Sequence, residues 1–400
     1  MNKYQNIAKM IQLSEESFNV AREENIIDLS VRYNSNNTLR MGDKEFINMC
    51  SCSYLGLDVH PQILLGAQEE IQNTGSLHLT TARTRLYTES LENVEYNLGQ
   101  LFNSYAISYV SCSAATSAFL PLLASGVFTD NEKPKMVFDK HCHFSMNHIK
   151  AICGDETEVV TAPHNDMEFL EHQCKENSWV AYVADGTYSI EGEASLEHLL
   201  QLQKKYNLFT YLDDSHGLSV TGTHGIGRMM SRLGKINERT VVVGSLAKAF
   251  GACGGVLLSG DAKIPEFLIR YGSPWSQYLN SAGIGGVNAS IKIHTSNEIV
   301  ELQNKWKKNL NILDKNFLTL NRYTDSPIRV IVLDKPESAI KQTKLIFEKG
   351  YYVSAVYFPI VPRGKAGLRI MPRANIQPET MTTFCGTVKD ICQSSLLQEV

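Results

Sequence analysis

The sequence predicts an α/β fold: a large domain built on a mostly parallel sheet, followed by a smaller α+β domain. Three observations carry this. Short β-branched runs alternate with helical segments through the middle of the chain, the order typical of parallel sheets. Polar stretches follow these runs, at the strand ends where open α/β sheets bind ligands. Beyond residue 295 the pattern changes to a long charged helix and then short mixed elements. Buried strands are expected at 106–111 (AISYVS), 135–139 (KMVFD), 159–162 (VVTA), 179–184 (WVAYVA), 208–212 (LFTYL) and 240–243 (TVVV). Between them, 195–206 (SLEHLLQLQKKY) repeats leucine at helical spacing. Residues 297–322 read as one amphipathic helix, followed by strands at 328–332, 352–355 and 367–370 and helices at 339–348 and 379–388. The expected division is an arm and start of the small domain at 1–55, a large domain at 56–295 and a small domain at 296–400.

The 400 residues carry 38 Lys plus Arg against 42 Asp plus Glu, a net charge of −4. That excludes the broad basic surface needed by nucleic acid or an anionic membrane. Hydrophobic residues at 43% are enough for a large core. No run approaches the ~20 apolar residues of a membrane span. The opening MNKYQNIAKMIQLSEESF lacks the apolar centre of a secretory leader, so a cytoplasmic location is expected. Nine scattered cysteines show no four-ligand zinc spacing, which points to reduced thiols and no metal site.

Chemistry-bearing residues gather in six motifs. In 240–255 (TVVVGSLAKAFGACGG) a strand enters a small-residue turn carrying Lys248. Lys248 is either a solvated surface lysine or a desolvated amine able to form a Schiff base with an aldehyde cofactor. In 209–217 (FTYLDDSHG) a strand ends on two acids and His216. Asp214 or Ser215 could cap a helix there; alternatively Asp213 faces a pyridinium nitrogen and His216 donates to the ring's phenolic oxygen. In 139–145 (DKHCHFS) His141 or His143 could lie flat over such a ring, or the two could be core histidines. The small residues of 110–118 (VSCSAATSA) open a helix that is either simply capped or approached by a phosphate. Residues 185–192 (DGTYSIEG) form a polar loop after a strand. In 361–370 (VPRGKAGLRI) Arg369 either makes a surface ion pair or clamps a substrate carboxylate.

Together these residues resemble the α-oxoamine synthases, pyridoxal-phosphate enzymes of the aspartate aminotransferase fold (fold type I). The likeness runs from SYLGLDVHPQ at residue 53 to RGKAGLRI ending at 370. Its most specific piece is 213–228 (DDSHGLSVTGTHGIGR), in which Ser219 replaces a family glycine. PHNDMEFLE at 163–171 and ADGTYSIEGEASL at 184–196 match further segments. The resemblance implies a large domain with a seven-stranded sheet and pyridoxal 5'-phosphate as cofactor. It implies that Lys248 is the Schiff-base lysine and that Asp213 pairs with the pyridine nitrogen. His216 and Ser189 would approach the phenolic oxygen, and His143 would stack on the ring. Ser111, Ser245 and the backbone around Cys112 and Ser113 would hold the phosphate, and Arg369 the amino-acid carboxylate.

The implied activity is a decarboxylating condensation of an amino acid with an acyl thioester, on coenzyme A or a carrier protein, to give an α-amino ketone. An aminotransferase or decarboxylase on the same fold is the alternative. The family works as a homodimer with shared active sites, and the partner's phosphate contact would come from 275–279 (WSQYL). Several positions depart from the family pattern. Cys52 stands for an Asn that helps hold the substrate carboxylate, Thr88 for a His and Tyr357 for an Arg. A Ser-Gly-aromatic phosphate loop reads Ser111-Cys112-Ser113, and Gln277 interrupts the Ser-Thr-Ser of the dimer-side contact. The cofactor-handling positions are kept better than the substrate-handling ones, which implies retained chemistry and shifted substrates.

Overall fold

The computed structural model describes residues 7–34, 38–273, 275 and 277–397, with 393–397 as backbone alone. The chain divides into two compact units, one of residues 57–300 and one of 1–56 with 301–400.

The larger unit is organised by seven strands: β1 (Tyr105–Tyr109), β2 (Lys135–Asp139), β3 (Val159–Ala162), β4 (Val180–Asp185), β5 (Leu208–Asp213), β6 (Thr240–Ser245) and β7 (Gly255–Ser259). They lie in the order β1-β7-β6-β5-β4-β2-β3. All neighbours are parallel except β7, which runs antiparallel to β1 and β6. This is the mostly parallel, seven-stranded fold type I sheet that the motifs imply. Every residue of β4 and β5 is buried, as expected for central strands covered on both faces. Strand β7 was not read from the sequence. Its apolar run is only Val256–Leu257–Leu258, hemmed in by glycines.

Strands β2, β4 and β5 each end on an aspartate, namely Asp139, Asp185 and Asp213. Asp185 and Asp213 are direct neighbours in the β4/β5 register. The helix α1 (Cys112–Ala124) starts beside them, and α2 (Ser281–His294) lies later in the same unit. Gly255 lets the chain pass close to α1: a β-carbon there would lie 2.3 Å from the Cys112 nitrogen.

In the smaller unit, strands β8 (Arg329–Leu333), β9 (Ser354–Val356) and β10 (Ala366–Ile370) form an antiparallel sheet with β10 in the centre. The strand expected at 352–355 is two strands. Tyr351–Tyr352 joins an N-terminal hairpin and β9 joins β10, with the fully buried Val353 between. The helix expected over 297–322 stops at Asn316. Buried Arg329 grips Asp314 through Nε (2.5 Å) and Nη2 (2.8 Å). The Asp314 carboxylate also accepts the Tyr323 amide at 3.0 Å. These bonds fold the chain back through the left-handed residues Asn321 and Tyr323. Among the described residues, no helix is long and apolar enough to cross a membrane.

Candidate active site

The turn after β6 brings Lys248 to His216. The lysine Nζ lies 3.0 Å from His216 Nε2, within hydrogen-bond reach. Lys248 is half-buried and His216 is buried. Gly251 closes the turn by donating its amide to the Lys248 carbonyl at 3.0 Å.

Asp213 ends β5 with its carboxylate already held. Oδ1 accepts the Ser215 amide at 2.9 Å, and Oδ2 faces the Cys112 thiol at 3.5 Å. The Ser215 hydroxyl reaches Cys112 Sγ at 3.5 Å and accepts the Ser245 amide at 2.9 Å. Hydrogen bonds therefore connect Ser245, Ser215, Cys112 and Asp213, which joins the two motifs around Lys248 and Asp213 to the start of α1. Burial pushes the Cys112 thiol well up, and the Asp213 charge adds to it, so the group stays a thiol and a donor.

Ser111 caps α1 by accepting the Ala114 amide at 3.1 Å. The amides of Cys112 and Ser113 come before it in the first turn, where an α-helix offers donors and positive potential to an anion. Ser113 is exposed, and Ser245 is half-buried at the end of β6.

The motif 139–145 admits His141 or His143, the resemblance implies His143, and the two differ in what their backbone amides reach. The His143 amide donates to Asp185 Oδ2 at 2.7 Å. Its Nδ1 accepts the Ser145 amide at 3.2 Å, which places the ring proton on Nε2. His141 instead gives its amide to Asp139 at 2.7 Å and stacks on His164, with ring centroids 4.3 Å apart. Asp139 is fully buried; burial alone would raise its pKa, but His164 and the amides of Asn165 and His141 hold it below the usual carboxylate range.

Ser189 sits half-buried on a loop closed by bonds from Tyr188 N to Gly192 O (3.1 Å) and from Ala194 N to Gly186 O (3.0 Å). Thr187 of that loop donates to Asp214 Oδ1 at 3.0 Å, and the Met229 amide donates to Oδ2 at 2.8 Å. Asp214 is thus a loop anchor rather than the helix cap weighed from sequence. Arg369 lies on β10 in the other unit, paired in register with Val330 and Ser354. Its Nε is buried with no hydrogen-bond partner among the described residues. The Cys50 thiol near it is pushed up to about 12, by burial first and then by Cys52, with Arg369 opposing. Ser276, within the segment assigned to a partner's phosphate contact, lies outside the described residues.

Sequence reasoning missed Asp185, which follows the strand it read and carries the backbone of His143. Burial holds the Asp185 carboxyl well above the usual range, and the Asp213 charge adds to this. Asp214 is pushed up to about 7, by burial first, against the Met229 amide, Thr187 and Arg228. Its folded value exceeds the value of 3.8 for a free side chain, so its contribution to stability is full below that pH and is lost as pH rises through about 7. Asp214→Asn is expected to flatten this loss, which amounts to at most on the order of 4 kcal/mol. Urea unfolding between pH 4.5 and 8 checks it; an unchanged slope with pH would refute the assignment.

The site offers what a phosphorylated pyridine aldehyde requires: an amine on a tight turn, a buried acid at a strand end, an imidazole, and a helix N-terminus reached closely by backbone at Gly255. The profile of the family described as aminotransferase class I and II matches residues 44–388, and the chain belongs to that family. Pyridoxal 5'-phosphate is the cofactor. Within the family the chain is similar to the 8-amino-7-oxononanoate synthase of Alkaliphilus metalliredigens (strain QYMF), 26% identical over 89% of this chain and 90% of the relative. It is also similar to the serine palmitoyltransferase of Bacteriovorax stolpii, 28% identical over 86% of this chain and 82% of the relative. A solved structure of serine palmitoyltransferase from S. paucimobilis with bound PLP–myriocin aldimine superposes with a TM-score of 0.83. At 20% identity over 98% of this chain and 99% of that one, it shows the shared fold. The chain is therefore an enzyme of the α-oxoamine synthase type, the group its motifs resemble.

Proposed function

We propose that this enzyme condenses an amino acid with an acyl thioester, releasing the thiol and carbon dioxide to form an α-amino ketone. The observation that carries it is the 3.0 Å contact between Lys248 and His216, beside the buried acid that ends β5. Bound pyridoxal phosphate supplies an electron-poor ring that takes up the electron pair left at the amino acid's Cα. Lys248 removes the Cα proton, with His216 as the neighbour that shares its proton. Asp213 would accept the N–H of the pyridine nitrogen and keep that proton in place. His143 would lie over the ring, and its Nε2–H would donate to the incoming thioester carbonyl, where negative charge develops. Ser189 supports the phenolic oxygen together with His216. The first turn of α1, from Ser111 through Cys112 and Ser113, holds the phosphate with Ser245. Arg369 holds the amino-acid carboxylate, and its buried, unpartnered Nε supports that role.

The working form we infer is a homodimer. Leu77, Leu86, Tyr87, Tyr271 and Trp275 are exposed large apolar side chains. Their segments are tied together by the Ser281 amide on Leu77 O (2.9 Å) and the Tyr278 hydroxyl on Thr81 O (2.7 Å), a surface suited to a second copy. The cytoplasm is the proposed location.

The test is incubation with a panel of amino acids and acyl donors, on coenzyme A and on carrier protein, with free thiol as the readout. Thiol release that needs both an amino acid and a thioester, with matching carbon dioxide, is the expected result. Amino transfer to a 2-oxo acid, or simple decarboxylation, with no thiol released would replace the proposal with the alternative chemistry.

A further inference from the structure

Two buried side chains outside the cofactor cradle are each poor choices alone. Ser219 is fully buried at φ 69°, a left-handed conformation that glycine adopts freely and serine does not. His294, the last residue of α2, is also fully buried, where an apolar side chain would need no partner. They satisfy each other: His294 Nε2 lies 2.9 Å from the Ser219 hydroxyl. His294 Nδ1 sits 2.8 Å from the Ser290 carbonyl, which can only accept. The ring proton is therefore on Nδ1, and Nε2 accepts from Ser219. Burial holds the imidazole pKa down to about 4, with the nearby His224 contributing, so this acceptor is constant near neutrality.

The same end of α2 also grips the lysine turn. The Ser290 hydroxyl donates to the Phe250 carbonyl at 2.6 Å. The His294 ring stacks on the Phe250 ring, with centroids 4.3 Å apart. Phe250 follows Lys248 by two residues and Ser219 follows His216 by three. The His294 carbonyl further accepts His224 Nδ1 at 3.0 Å, from the loop that Ser219 begins. One imidazole thus touches both loops whose side chains meet at the Lys248–His216 contact.

We propose that His294 is a positioning residue: through Ser219 on one side and Phe250 on the other, it sets the separation of Lys248 from His216. This rests on the proposed roles of that pair. Two locally unfavourable residues, serine at a glycine position and a buried histidine, are explained together as a brace between loops. A displacement of the amine by a fraction of an ångström is enough to slow its attack and its proton transfer.

The experiment compares His294→Leu, His294→Gln and the double variant Ser219→Gly/His294→Leu with the native protein. Apo-protein is mixed with pyridoxal phosphate, attachment is trapped with borohydride, and the adduct at residue 248 is timed by mass spectrometry. Melting temperatures are taken in parallel. His294→Leu should slow attachment about 10- to 100-fold, and any condensation activity should lose kcat with KM changed less than about twofold. Glutamine, which keeps an acceptor for Ser219, should recover most of the rate. The double variant removes the orphaned hydroxyl and should regain melting temperature while staying slow. If it regains speed and stability together, His294 is only a core residue and the proposal fails. Native attachment rates in His294→Leu would fail it as well. If the native protein forms no adduct at residue 248, the reading of Lys248 has failed instead, a distinct result.

Discussion

Lys248→Ala is expected to abolish measurable condensation while the protein stays folded. Loss of the base alone should lower turnover roughly 10²- to 10⁴-fold, and loss of covalent attachment should lower it further. The side chain is half-buried on a turn held by backbone bonds from Gly251 to Lys248 O and from Ala252 to Leu246 O, so alanine leaves the turn intact. Two measurements check this: thiol release with saturating substrates, and borohydride trapping followed by peptide mass spectrometry. The native peptide should carry the cofactor's mass and the variant peptide should not. Turnover within tenfold of native would remove Lys248 from the chemistry and with it the mechanism proposed for this site.

Asp213→Asn should lower kcat about 10²- to 10³-fold, the usual loss when one preorganised electrostatic partner is removed. Asparagine keeps an oxygen for the Ser215 amide, so the local fold should survive. What it loses is the negative charge that holds a proton on the pyridine nitrogen. The direct readout is exchange of the substrate's Cα hydrogen in heavy water, followed by NMR without any thioester. Exchange at the native rate in the asparagine variant would end the pairing of this acid with the ring. The neighbouring Asp185 should report the same change, because its raised pKa owes part of its shift to the Asp213 charge.

How far the sequence reveals this molecule depends on how local the determining interactions are. Strands β2 and β3 were read to the residue because each is a short β-branched or aromatic run bounded by polar residues. The lysine turn and the DDSH motif were legible because residue type and strand-end position both point to chemistry. Strand β7 was hidden because it gains its identity from lying antiparallel between β1 and β6. The over-long helix had the same cause. Nothing near Asn316 announces that Arg329 and Tyr323 will both bind Asp314. In the site, the unforeseen contacts are distant in sequence: the thiol of Cys112, read only for its backbone, with Asp213, and the missed residues Asp185 with the His143 amide and His294 with Ser219. The motif alone admits either His141 or His143, and the family resemblance is what favours His143.

The side-by-side burial of Asp185 and Asp213 has a consequence for how the enzyme is kept in the cell. Burial and the Asp213 charge hold the Asp185 carboxyl well above the usual range, so the bare polypeptide accommodates the pair by keeping a proton on Asp185. On the proposed pairing, the cofactor docks at Asp213 in the native state alone, and a ligand that prefers the native state shifts the folding balance towards that state. The expected consequence is that vitamin B6 supply sets the enzyme's stability as well as its rate: chain made without cofactor would be degraded faster, and refilling the vitamin pool would rescue copies made afterwards.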